Sequence, residues 1–155
     1  MRLAIIPLAL LCVGTVPLFA QETHPDMVKA GNELKWGPGP PNSPAGTQMA
    51  VLSGDPTKNG PYVLRLKFSP TFKIAPHHHP TTENATVLSG TFYVGMGDKM
   101  DEKKGTALQP GAFISLPAKM NHYAWTSAET IVQFHGEGPF KVEFANPADE
   151  PSKKM

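Results

Sequence analysis

The sequence predicts an all-β fold, a double-stranded β-helix or jelly-roll barrel, on three observations. Short runs of β-branched and aromatic residues recur along 48–144, broken at close intervals by Gly, Pro, Asn or Asp. Tyr62, Leu64, Leu66 and Phe68 alternate with Val63, Arg65 and Lys67, the period of a strand with one buried and one wetted face. Within this region only Asp98–Lys104 looks helical. A chain of 155 residues is one domain on size alone, and long enough for a real core.

From the N-terminus, residues 1–20 read as a secretory signal peptide. Arg2 supplies the positive start, Leu3–Val16 the apolar stretch, and Leu18-Phe19-Ala20 a cleavage site before Gln21. The apolar run carries Pro7 and Pro17 and is too short for a comfortable membrane span. Cleavage removes Cys12, the single cysteine, so the exported chain has no disulfide. It also removes Arg2, leaving 13 basic against 13 acidic residues. That balance carries no basic face for a nucleic-acid partner. The expected destination is the periplasm or the exterior, with no membrane attachment after cleavage.

Residues 21–47 form a proline-rich arm, with a short helix expected at 25–30. The run Gly37-Pro38-Gly39-Pro40-Pro41-Asn42-Ser43-Pro44 is neither helix nor central strand. It is expected to lie extended over the domain or onto a partner subunit. The barrel domain spans 48–145, with strands expected at 48–53, 61–68, 72–77, 85–95, 112–116, 122–126, 130–136 and 139–144. Residues 146–155 are expected to be a flexible tail.

The chemistry concentrates in His77-His78-His79-Pro80-Thr81-Thr82-Glu83 and, in a later strand, His122. Histidines at i and i+2 of a strand point the same way, and a glutamate four residues on can reach the same point. His122 would complete three imidazoles and one carboxylate, a set suited to one divalent transition metal. His78, between the two, faces away.

The pattern around these residues resembles the cupin superfamily. The first cupin motif closes on His-x-His, Glu and Gly, here His77, His79, Glu83 and Gly90; the second runs Gly111, Pro117, Lys119, His122 and Thr126. Three positions depart from it: Thr71 and Lys119 stand where glycine is usual, and Thr126 where asparagine is usual. The resemblance implies a barrel with the metal inside, one end open to solvent, and a homodimer as partner. It leaves the reaction open, because cupins include dioxygenases, isomerases, decarboxylases, lyases and proteins without known activity.

Other candidates follow from strand alternation. Ile131, Gln133 and His135 share one face of a strand, Val132 and Phe134 the other. If the polar set faces the cavity, Gln133 binds substrate and His135 is either a general acid/base or a hydrogen-bonded rim histidine. Phe92 and Phe113 are candidates to narrow a substrate pocket, with core packing as the default. Tyr123 and Trp125, on the face opposite His122, read as packing or subunit contacts. Asn84-Ala85-Thr86 matches a glycosylation acceptor but sits in a strand.

The functional expectation is an exported small-molecule metalloenzyme, oxygenase-like, holding Fe, Mn or Ni, with Zn as the other option, on His77, His79, Glu83 and His122. The alternative is a module that binds metal or ligand without turnover.

Overall fold

The punctuated apolar runs become eleven strands among residues 30–151, which are those the computed structural model describes. The expected signal peptide, with Cys12, lies outside them. So does the expected 25–30 helix apart from Ala30, which is extended. The strands are β1 Gly37–Pro38, β2 Gln48–Ser53, β3 Gly60–Phe68, β4 Lys73–His78, β5 Glu83–Ser89, β6 Phe92–Met96, β7 Thr106–Leu108, β8 Phe113–Leu116, β9 His122–Thr126, β10 Thr130–Gly138 and β11 Glu143–Phe144. They form two antiparallel sheets, ordered β1-β2-β3-β10-β5-β8 and β11-β4-β9-β6-β7. Two such sheets face to face are the jelly roll the sequence predicts.

The predicted alternation in β3 holds: Tyr62, Leu64, Leu66 and Phe68 are all buried. They meet Phe72, Val87, Phe92, Val94, Val132 and Phe134 in one apolar core. Each such side chain contributes roughly 1.5–3 kcal/mol by leaving water.

One expected strand, 85–95, is two. β5 and β6 lie in different sheets, and the chain crosses between them at Gly90. Gly90 has φ +74°, and a Cβ there would lie 2.4 Å from Thr130 Oγ1 and 2.5 Å from Glu129 O. Only glycine fits a corner that is both left-handed and crowded.

The expected strand at 139–144 shrinks to Glu143–Phe144. Pro139 has no N–H for a ladder, and Phe140 N donates instead to Pro56 O at 2.7 Å. The helical-looking 98–104 yields one 3-10 turn, Glu102–Lys104, capped by Asp101, whose side chain accepts from Lys103 N. This loop covers the outer face of the five-stranded sheet: Tyr123 Oη donates to Asp101 O at 2.9 Å, and Gly105 lies against the Trp125 ring. Tyr123 and Trp125 are therefore packing residues here, and Trp125 stacks on Tyr93 at 5.1 Å. The tail opens with a turn, Pro147–Asp149, capped by Asn146.

The described part of the proline-rich arm lies over its own domain. Gly37–Pro38 pairs with β2, and Gly39 N donates to Thr47 O at 3.0 Å, closing a loop over the gap between the sheets.

Gly90→Ala is expected to lower unfolding stability by about 2–4 kcal/mol, since the added methyl is both strained and clashing. A urea-unfolding midpoint equal to wild type would show that the corner is not constrained.

Candidate metal centre

β4 reaches the site by breaking its own period. Ile74 pairs with Ala124 and His77 with His122, so three steps along β4 span what two steps along β9 span. The extra residue is a bulge. Pro76, which has no N–H to donate to a ladder, sits within it. The odd step brings Ile74 and His77 to the same inward face. His79 follows just past the end of β4, and Glu83 opens β5. His122 opens β9 directly opposite His77.

The three imidazoles converge. His77, His79 and His122 are buried, and each offers a ring nitrogen within 4.8 Å of the others. Glu83 joins them: its Oε1 lies 3.3 Å from His79 Nε2 and its Oε2 3.6 Å from His122 Nε2. Each ring is oriented from behind by a backbone carbonyl. Nδ1 of His77 meets Ala75 O at 2.8 Å, that of His79 meets Lys141 O at 2.6 Å, and that of His122 meets Met120 O at 3.0 Å. A carbonyl only accepts, so each Nδ1 carries the proton and each Nε2 keeps its lone pair. This is the support that metal-binding histidines ordinarily have.

Burial sets the charge states. It holds His77 well below the ordinary imidazole value of 6.5, with His122 and His79 adding to the effect. His79 is pushed down to about 4, again chiefly by burial. His122 is lowered for the same reason, against an opposing pull from Glu83. The Glu83 carboxyl is pushed up to about 7 by burial, with His122 working against the rise. Three neutral imidazoles and one carboxyl group that ionises near neutrality suit a divalent first-row metal: a cation would repay the carboxylate's desolvation and meet three lone pairs.

The cluster lines an interior cavity of about 40 Å³. That is room for an ion and one or two water-sized molecules. Apart from the cluster, its walls are mainly apolar, with Ile74, Phe92, Leu116, Phe134 and Phe140 among them. Ser43 and Thr47 of the arm loop also reach it, but their hydroxyls donate to Pro40 O and Pro44 O within that loop.

The four expected ligands thus come together, and Phe92 lines the cavity as well as the core. The polar wall does not form. Val132 (0 % exposed) and Phe134 (4 %) face inward, which turns Gln133 and His135 outward. The reason is register: Val132 pairs with Leu66 and Phe134 with Leu64, and directly paired residues share a face. Gln133 instead accepts a hydrogen bond from Arg65 Nε at 3.1 Å on the outer face. Phe113 is 58 % exposed and lies beside the His135 ring, so it does not narrow the cavity. His78 faces away from the cluster and meets Asn121 Oδ1 and Glu143 Oε2.

Two features of the site escaped the sequence reading. Phe140 stacks on the His79 ring at 5.1 Å. The three orienting carbonyls belong to the backbone, and no residue type signals them.

The depressed imidazoles predict acid sensitivity of the metal-free protein. Each imidazole has a folded value below its unfolded one, so its contribution to stability is complete above about 6.5 and is lost as pH falls; for His79 the loss extends to about 4. Glu83, raised from 4.5 to about 7, has the opposite sign: its contribution is present below 4.5 and lost as pH rises through 7. Three groups outweigh one, so the melting midpoint is expected to fall by about 5 °C or more between pH 6.5 and 4.5. A midpoint that rises over that interval in calorimetry would contradict this balance.

Comparison with known proteins places this geometry. A family model described as the ChrR cupin-like domain matches residues 24–141. The polyketide cyclase RemF from Streptomyces resistomycificus superposes with a TM-score of 0.66 at 17% identity, covering 83% of this chain and 92% of that one. An RmlC-like cupin from Shewanella frigidimarina gives 0.55 at 15% identity over 76% and 92%. KdgF from a Halomonas species gives 0.54 at 19% identity over 72% and 92%. At these identities the likeness is one of fold. No curated protein matches the sequence.

Proposed function

The chain belongs to the ChrR cupin-like family, and from that premise we propose that it is an exported metalloprotein whose His77, His79, Glu83 and His122 hold one divalent transition metal for oxygenase-like chemistry on a small molecule. The observation that carries this is the convergence of three carbonyl-anchored imidazoles and one buried carboxylate on a small, largely apolar cavity. A structural site needs no such cavity. Iron, manganese or nickel fits the mixed nitrogen and oxygen donors best, and zinc is the other option. When bound, such a metal supplies a Lewis acid with coordination positions left for a small ligand.

The chain's own part is to hold and exclude. The Nδ1 hydrogen bonds fix the three imidazoles in their lone-pair-inward form. Phe140 and the arm loop form part of the cavity wall. Glu83 is the one carboxylate beside the cluster among the described residues, and it is the group that could take up or give back a proton there.

A second reading, a binding module without turnover, draws on the outward turn of Gln133 and His135. That turn leaves no titratable group other than the four ligands on the cavity wall among the described residues. Exchange of water at the metal separates the two. Rapid exchange, seen as enhanced proton relaxation, supports the enzyme. A site closed to water and to azide supports the module. Export and the homodimer belong to the same proposal. They predict a processed N-terminus at Gln21 and a sedimentation mass of two chains.

Elemental analysis of protein purified without chelating resin is expected to find about one metal per chain. His122→Ala is expected to lose most of it, because this ligand ties the second motif to the first. Glu83→Ala is expected to bind more than tenfold more weakly while keeping a wild-type circular dichroism spectrum, since the apolar core does not depend on it. Full occupancy in both variants would remove these residues as ligands.

A further inference from the structure

The layer of the barrel next to the ligands is built around two alanines. Ala124 stands two residues after His122 on β9, and Ala85 two residues after Glu83 on β5. A step of two along a strand keeps the face, so each points inward beside a ligand. Both are 2 % exposed and line the interior cavity, one from each sheet. They are the smallest side chains on its wall. Their paired neighbours are large: Ile74 stands beside Ala124, and Phe134 and Ile114 beside Ala85. All three neighbours also line the cavity.

This layer is apolar throughout, in contrast to the ligand row beside it. None of Ile74, Ala85, Ile114, Ala124 and Phe134 carries a side-chain polar atom. Beyond the four ligands, the polar side chains on the cavity wall among the described residues are Ser43 and Thr47. Their hydroxyl hydrogens are committed to Pro40 O and Pro44 O. The Nδ1 protons of the three histidines are committed to backbone carbonyls as well.

That chemistry selects an occupant. Water in the layer would lack the hydrogen-bond partners that a buried water needs. A charged or hydroxylated molecule would give up its hydration for nothing in return. A small apolar molecule loses nothing by entering and gains contact with the walls. The cavity of about 40 Å³ is far too small for an organic ring, and suits a diatomic molecule beside the ion.

We propose that the layer bounded by Ala85 and Ala124 is a dry site for one molecule of dioxygen, held against the ligand row whether or not the metal is present. The choice of dioxygen among apolar gases rests on the oxygenase-like reading above, and the binding itself does not.

Dioxygen is paramagnetic, so it speeds the relaxation of the methyl groups it touches. The full chain, methyl-labelled and freed of metal by chelation, is compared under oxygen and under nitrogen at equal pressure. Methyls of Ala85, Ala124 and Ile74 are expected to relax severalfold faster under oxygen than those of Val87 and Val132. The two valines are as deeply buried but do not line the cavity, so they serve as the internal reference. Ala124→Val keeps a strand-favouring residue while filling the layer, and is expected to bring the excess at Ala85 and Ile74 down to the reference. If that variant does not fold, Ala85→Val tests the same space from the other sheet, and the wild-type comparison stands by itself. No excess in the wild type, or an excess that persists in the folded variant, overturns the proposal. Metal content of the same protein before chelation separates the two readings. One metal per chain without the excess overturns this inference alone, whereas the excess in a chain that takes up no metal supports the site and fails the metalloenzyme reading.

Discussion

The site depends on a mismatch of one residue between two neighbouring strands. A regular β4 would send Ile74 and His77 to opposite faces, because three steps along a strand reverse the side chain. The bulge against β9 cancels that reversal. Ile74 then packs in the core while His77 joins His122 a few ångströms away. Everything around the cluster adapts to this step. The carbonyl of Ala75, inside the bulge, is the one that orients His77. The carbonyl of Pro76, also inside it, receives Ala145 N at 2.9 Å, which brings the chain after Phe140 alongside the site.

The cluster works against the stability of the metal-free barrel. Three imidazoles and a carboxyl group occupy an interior where Leu or Phe would pack without desolvation cost. The apolar core built from β3, β5, β6 and β10 carries the fold past that penalty. Such a local violation of core rules, inside a chain that otherwise follows them, is what a functional site looks like. Lys119 is a smaller instance. It stands where the superfamily pattern has glycine and takes φ +62°, a left-handed conformation that costs a side chain about 1 kcal/mol. Its N–H donates to His79 O at 2.9 Å, so the strained turn before β9 also ties the two ligand-bearing segments together.

Residue chemistry made the ligand cluster legible. His-x-His on a strand, a following glutamate and a distant histidine form a pattern that few other needs produce. The strand alternation of 62–68 was equally plain. Alternation could not say which face of β10 points inward, because it defines two faces without ranking them. That choice is made by pairing to β3 and β5, which is a matter of register between segments more than 40 residues apart in sequence. The same non-local choice placed Phe113 outside. Three-residue β7 lay below the length at which periodicity means anything. The break at Gly90 could be read in hindsight: a glycine inside an apolar run that outlasts an ordinary strand marks a corner.

The two indoles lie outside the core. Trp36 sits over the Lys67 ammonium at 4.4 Å, outside the six-stranded sheet. Trp125 stacks among Tyr93 and Tyr123 under the 98–105 loop, outside the five-stranded one. Neither lines the interior cavity, where the aromatic walls are phenylalanine. Tryptophan emission therefore reports on the two outer coverings, the arm and the loop, and Trp125, three residues from His122 in the same strand, lies close enough to a coloured ion to be quenched by it. In a Trp125→Phe variant the remaining emission would follow the arm alone, and in a Trp36→Phe variant the loop alone.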